Sequence, residues 1–176
     1  MKIYCDYDST LTDVTLWEFY NVLHHDKSNK IKPYSWFANE LPYTWEKYST
    51  RPLEGSKEFF NELTELYDTY ILTSTKNKEH QKGKNEHIKY YFNTNTIIHE
   101  VYKHKYAICP VNKTPNILID DSLSNCLMFA ANGGYSIVYN HEDQYEYNRL
   151  YRKMDGVYVA NTYDEVLEIV KEITNG

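Results

Sequence analysis

The sequence predicts an α/β domain in which a parallel sheet lies between two layers of helices, with a small helical unit inserted after the first strand. Three observations lead there. Short β-branched and apolar runs alternate with amphipathic segments of helical period along most of the 176 residues. Two of those runs end in paired acids, Asp6-Tyr7-Asp8 and Asp120-Asp121. Residues 12–52 differ from the rest, being crowded with Trp, Tyr and Phe and marked by Pro33, Pro42 and Pro52.

A chain of this length, 41% hydrophobic, suits one α/β domain with a modest insertion better than two full domains. The division expected is a core of residues 1–11 and 53–176 and an insertion of residues 12–52. A net charge of −6 disfavours non-specific binding along long nucleic acids but leaves room for a local basic pocket. No apolar run approaches membrane-spanning length, and the first strand begins at residue 2, so a soluble, cytoplasmic protein without a signal peptide is expected. Cys5, Cys109 and Cys126 show no Cys-x-x-Cys spacing, which fits buried thiols in a reducing compartment rather than a disulfide frame or a zinc site.

The opening run Lys2-Ile3-Tyr4-Cys5 is rich in β-formers and stops at Asp6-Tyr7-Asp8-Ser9-Thr10, as a central strand opening into a loop would. Within residues 12–52, Trp17, Phe19, Tyr20 and Leu23 suit a helix beginning near Asp13. Trp36, Phe37, Tyr43 and Trp45 fall on shorter pieces. Such rings either form the small unit's own core or face a cleft and stack on a base. After Glu54-Gly55-Ser56, the spacing of Phe59, Phe60, Leu63, Leu66 and Tyr67 predicts a helix with a core-facing stripe. Thr69-Tyr70-Ile71-Leu72 predicts a strand ending in Thr73-Ser74-Thr75, whose hydroxyls suit either a phosphate oxygen or a simple turn. Residues 76–92 read as a polar helix. Most of Lys76, Lys78, Lys82, Lys84 and Lys89 are expected on a solvated face, and His80 and His87 likewise. Thr96 to Val101 predicts a third strand, followed by the basic cluster Tyr102-Lys103-His104-Lys105. Asn116-Ile117-Leu118-Ile119 is an apolar strand running into Asp120-Asp121-Ser122. Leu123, Cys126, Leu127 and Ala130 predict a helix closed by Asn132-Gly133-Gly134. Residues 135–139 predict the next strand, residues 141–154 a polar, Tyr-rich segment, and residues 156–159 the last strand. Thr162-x-x-Glu165 is a capping box for a final helix. The sum is a three-layer, Rossmann-like parallel sheet.

Carboxylates two residues apart leave a strand on the same side, so Asp6 and Asp8 reach one small volume while Tyr7 points away. Their repulsion favours a bound cation or a shared proton. A carboxylate nucleophile beside a carboxylic acid is one chemistry this supports. The acids of residues 120 and 121 repeat the theme.

Three strand ends that carry Asp-x-Asp-x-Thr, Thr-Ser and Asp-Asp in this order resemble the haloacid dehalogenase superfamily of phosphohydrolases along nearly the whole chain. Asp6-Tyr7-Asp8-Ser9-Thr10 is similar to its first motif, Thr73 with Ser74 to the second, Lys105 or its rival Lys103 to the third, and Asp120-Asp121 to the fourth. The resemblance implies that Asp6 is a nucleophile forming an aspartyl-phosphate and Asp8 the general acid and base. It implies one Mg²⁺ on the Asp6 carboxylate, the Asp8 carbonyl and Asp121, with Asp120 beside them, and a phosphoryl group held by Thr73 and a lysine. Within the superfamily, the aromatic-rich insertion, Pro52-Leu53-Glu54-Gly55, Thr73-Ser74 and Asp120-Asp121 with Asn125 resemble the 5′(3′)-deoxyribonucleotidases. That implies a deoxyribonucleoside monophosphate held by Trp17, Phe19, Trp36, Phe37, Tyr43 and Trp45 of the insertion. Ser9 stands where Gly is usual in those enzymes. Other readings are a phosphatase for a nucleic-acid 3′-phosphate end or another small phosphorylated metabolite, and a phosphate-binding scaffold without turnover. The aromatic surface would equally serve a protein partner, a second copy in a homodimer included.

Overall fold

The computed structural model describes residues 1–13, 51–75, 78–94, 96–100, 115–141 and 155–176. Eight strands are formed there: β1 (Ile3–Cys5), β2 (Thr12–Asp13), β3 (Arg51–Pro52), β4 (Thr69–Ser74), β5 (Ile97–Glu100), β6 (Ile117–Asp120), β7 (Tyr135–Tyr139) and β8 (Val157–Ala160). The helices are α1 (Ser56–Leu66), α2 (Lys78–Phe92), α3 (Leu123–Ala131) and α4 (Tyr163–Asn175). Six strands make one sheet in the order β5-β4-β1-β6-β7-β8, every adjacent pair parallel. This is the α/β sheet the alternation of runs predicts.

β1 sits at the middle because both its neighbours use it fully: Tyr4 lies beside Tyr70 of β4 and Leu118 of β6. Its residues alternate between faces. Ile3, Cys5 and Tyr7 join a core with Phe59, Phe60 and Leu63 of α1, Ile88 and Phe92 of α2, and Val166 and Val170 of α4. Tyr4 joins Leu72, Leu118 and Phe129 of α3 on the other face. Helices therefore cover both faces. The chain proceeds outward from β1 through β4 to β5 and returns to β6 on the far side of β1. In open α/β sheets ligands bind where the order reverses in this way, outside the carboxyl ends of the strands.

The local signals explain the element ends. Gly55 precedes α1 with φ 76°, a conformation that disfavours a Cβ. The Thr162 side chain accepts from Glu165 N at 3.2 Å and starts α4, while Glu165 Oε2 accepts from Asn161 N at 2.6 Å, one residue earlier than a standard capping box. Leu66 departs from the stripe expected of α1: it is exposed, because the helix ends there and the chain turns to enter β4. The helix expected near Asp13 does not begin at that residue, which lies in β2. β2 pairs antiparallel with β3, Thr12 opposite Pro52 and Asp13 opposite Arg51. The rest of that expected helix, the cluster at residues 102–107, Cys109 and nearly all of the polar segment 141–154 lie outside the described residues. Cys5 and Cys126 are free and buried. No helix among the described residues is long and apolar enough to cross a membrane.

Candidate active site

Parallel register puts the ends of β4, β1 and β6 side by side, and each end carries polar side chains. Asp6 follows β1 directly. Its backbone N–H donates to Ile119 O at 2.8 Å, which sets it beside the end of β6, and its Oδ1 accepts the Tyr7 N–H at 2.7 Å. Asp120, the last residue of β6, is fully buried. Ser122 N at 2.8 Å and Asn125 Nδ2 at 3.1 and 3.2 Å donate to its carboxylate, so the start of α3 fixes its orientation. Asp121 is partly exposed, and its backbone N–H donates to Thr10 Oγ1 at 3.1 Å. Carboxylate oxygens of Asp6, Asp120 and Asp121 lie within 4.8 Å of one another. If all three are ionised, each pair at that distance repels by about 3.5 kcal/mol at an effective dielectric constant of ~20. An all-oxygen donor set with this much negative charge fits a hard divalent cation such as Mg²⁺.

Asp8 faces a different partner. Lys84 of α2 is completely buried, and its Nζ lies 2.5 Å from Asp8 Oδ2, 2.9 Å from Thr73 Oγ1 and 3.3 Å from Ser74 O. Burying an ammonium requires such partners, since an unpaired charge inside a protein is strongly unfavourable. Asp8 Oδ1 is buried with no hydrogen-bond partner among the described residues. Thr73 is buried, whereas the Ser74 side chain is exposed.

Lys84 is therefore the exception among the lysines of α2: it is buried against Asp8 and Thr73 and not on a solvated face. Lys78, Lys82 and Lys89 are exposed as expected. One signal was available in the sequence, because Lys84 shares a helical stripe with Ile88, Tyr91 and Phe92 and so points at the sheet. Lys105 and Lys103 lie outside the described residues, as do Trp17, Phe19, Trp36, Phe37, Tyr43 and Trp45. The expectation for His87 is corrected. It is buried, and its Nδ1 shares a short hydrogen bond with the Tyr7 hydroxyl.

The loop after Asp8 is held from below. Ser9 adopts φ 59°, the left-handed region in which Gly carries no penalty. Thr10 O accepts from the Tyr163 hydroxyl at 2.8 Å, and the Tyr163 ring is stacked between Phe59 and Tyr139, with centroids at 4.4 and 4.7 Å. Burial, and after it the neighbouring Tyr139, push the Tyr163 phenol far above its ordinary value, so it remains a donor to Thr10.

Structures with this arrangement of elements are known. A haloacid dehalogenase-like family protein from Streptococcus pneumoniae superposes with a TM-score of 0.65 at 18% identity, covering 96% of this chain and 97% of that one. A haloacid dehalogenase-like family hydrolase from Xanthomonas campestris gives 0.64 at 14% identity over 98% and 95%. A hydrolase of the same type from Bacillus subtilis, bound to magnesium, gives 0.61 at 13% identity over 96% and 97%. This is the haloacid dehalogenase fold. No protein-family model matches the chain, and no curated protein matches its sequence. Within the haloacid dehalogenase fold the strand ends of β1, β4 and β6 are neighbours, and in this chain they carry Asp6 and Asp8, Thr73, and Asp120 and Asp121.

Proposed function

We propose that the protein is a Mg²⁺-dependent phosphomonoesterase that works through a phosphorylated Asp6. The observation that supports it best is the meeting of acids from two distant segments, Asp6 with Asp120 and Asp121, beside an Asp8–Lys84–Thr73 cluster. Asp6, Asp121 and the Asp8 carbonyl would hold the cation, with Asp120 buttressing them, and the cation would offset charge on the phosphoryl oxygens. Lys84 and Thr73 take the role foreseen for a lysine and a threonine of binding those oxygens. A phosphate dianion competes with Asp8 for the Lys84 ammonium and so draws it onto the substrate.

Released from Lys84 by the phosphate, Asp8 takes up a proton from solvent; a carboxylate oxygen of Asp6 then forms a bond to phosphorus as the ester P–O bond breaks, and Asp8 passes that proton to the leaving oxygen. Asp8, now a carboxylate, accepts a proton from water as that water attacks phosphorus. The bond to Asp6 breaks, inorganic phosphate leaves, and the Asp6 carboxylate is regenerated. The substrate we infer is small and phosphorylated, a deoxyribonucleoside monophosphate, with residues 12–52 acting as the cap that selects it. This finer reading rests on the motif resemblance and the aromatic content of that segment. The antiparallel pairing of Thr12–Asp13 with Arg51–Pro52 supports an insertion that leaves and re-enters the core at one place.

The test is phosphate release from a panel of phosphomonoesters, deoxyribonucleoside monophosphates among them, with and without Mg²⁺. Asp6→Asn is expected to abolish release. Turnover that persists in this variant would remove Asp6 as the nucleophile. Faster release from a 3′-phosphorylated oligonucleotide than from any mononucleotide would move the substrate to nucleic-acid ends.

A further inference from the structure

His87 follows Lys84 by three residues on α2, so both side chains leave the helix on one face. Both reach the Asp6-Tyr7-Asp8 segment: Lys84 bonds Asp8, and His87 bonds the Tyr7 hydroxyl. Tyr7 is completely buried, its ring edge-on to those of His87 and Phe92 with centroids 5.7 and 5.8 Å away. A buried phenol needs a partner for its O–H, and His87 supplies it. His87 is itself backed by the Tyr91 ring at 4.7 Å. The Tyr7 backbone is where the loop is gathered. Its N–H donates to Asp6 Oδ1 at 2.7 Å, and its carbonyl accepts from Leu11 N at 3.0 Å, Thr12 N at 3.1 Å and Thr12 Oγ1 at 3.0 Å.

We propose that His87 is a positioning residue for the nucleophile: by holding the Tyr7 side chain on the face covered by α1, α2 and α4, it fixes the Tyr7 N–H that orients the Asp6 carboxylate. The inference rests on the phosphatase reading for its kinetic consequence and on geometry alone for its structural one. Side chains that lock a reacting group from behind act on turnover more than on substrate binding, because small misplacements cost rate.

The experiment compares Tyr7→Phe, His87→Leu, the double variant and the control Ile88→Val, which loosens the same helix without touching the hydrogen bond. With Mg²⁺ and p-nitrophenyl phosphate, each of the first two is expected to lower kcat about tenfold with KM within about twofold, the double variant no further than either single, and the control not at all. Amide hydrogen exchange at Tyr7 gives a readout that needs no turnover. Its protection is expected to fall about tenfold relative to that of Ile71 in both single variants. Should His87→Leu fail to fold, Tyr7→Phe carries the same test by removing one oxygen. Unchanged Tyr7 protection overturns the inference, as do losses of kcat that multiply in the double variant or that the control reproduces. A wild-type protein that releases no phosphate overturns the phosphatase reading instead, and the exchange result then stands by itself.

Discussion

The two halves of the site differ in charge. On the β4 side Asp8 meets Lys84 at 2.5 Å, and the pair brings no net charge to the strand ends. On the β6 side Asp6, Asp120 and Asp121 gather three carboxylates within 4.8 Å. The first half is balanced in charge by the chain's own groups, whereas the second is arranged against its own repulsion by backbone and amide donors such as Ser122 N and Asn125 Nδ2. A ligand that carries negative charge toward Lys84 and a cation toward the acids satisfies both halves at once, and a phosphate ester with Mg²⁺ is such a pair.

The comparison breaks most readily at Lys84. Lys84→Met keeps the bulk of the buried stem and deletes the charge. Steady-state kinetics should show kcat/KM lowered about a thousandfold, as for loss of a donor to a transition-state oxygen. Urea denaturation should show a loss of about 2–3 kcal/mol, since Asp8 is left partly buried without its cation. A variant as stable as the parent would mean that the β4 half is not held by this pair.

The β6 half is sharpened by the cation itself. At about one hundred times its dissociation constant, Mg²⁺ should add about 2.7 kcal/mol to folding stability through binding the folded state alone, and chelation should remove both that gain and turnover. Asp121→Asn should erase most of the gain. A gain that survives this substitution would place the cation elsewhere.

The smallest effect is expected where the two halves join. Ser9 bears a φ of 59°, and Ser9→Gly should relieve about 1 kcal/mol of backbone strain, read as a higher urea midpoint at unchanged slope. Gly also gains freedom in the unfolded chain, so the net is at the low end of the usual left-handed penalty. A destabilised variant would show that the Ser9 side chain holds the loop more strongly than its backbone strains it.

Much of this was legible in the residues. Apolar runs that stop at acids gave the strand ends, and the repeated Asp-rich ending announced that two strands meet at one place. The tyrosine between the acids points away from them, as strand alternation requires. Lys84 and His87 were less legible, because in a helix with five lysines in residues 76–89 the apolar stripe is short and confined to its end. Whether one of those ammoniums is buried depends on an aspartate 76 residues away, and no local pattern reports that partner. The lysines expected at the phosphate, Lys103 and Lys105, lie outside the described residues, and α2 presents a further one, Lys84, to Asp8. Tyr163 was hidden for a similar reason. It looks like an ordinary first-turn residue of a capped helix, yet its hydroxyl holds Thr10 across 153 positions.

The antiparallel clasp of Thr12–Asp13 with Arg51–Pro52 gives the molecule a junction with both wires at one terminal. Asp13 lies opposite Arg51, so a tight two-residue turn has the geometry to close the chain there and leave β1 and β4 in register. If the chain divides as proposed, an exchange confined to residues 14–50 would keep both strands of the clasp, and the measurement that checks it is whether such a chimera retains the fold of the sheet.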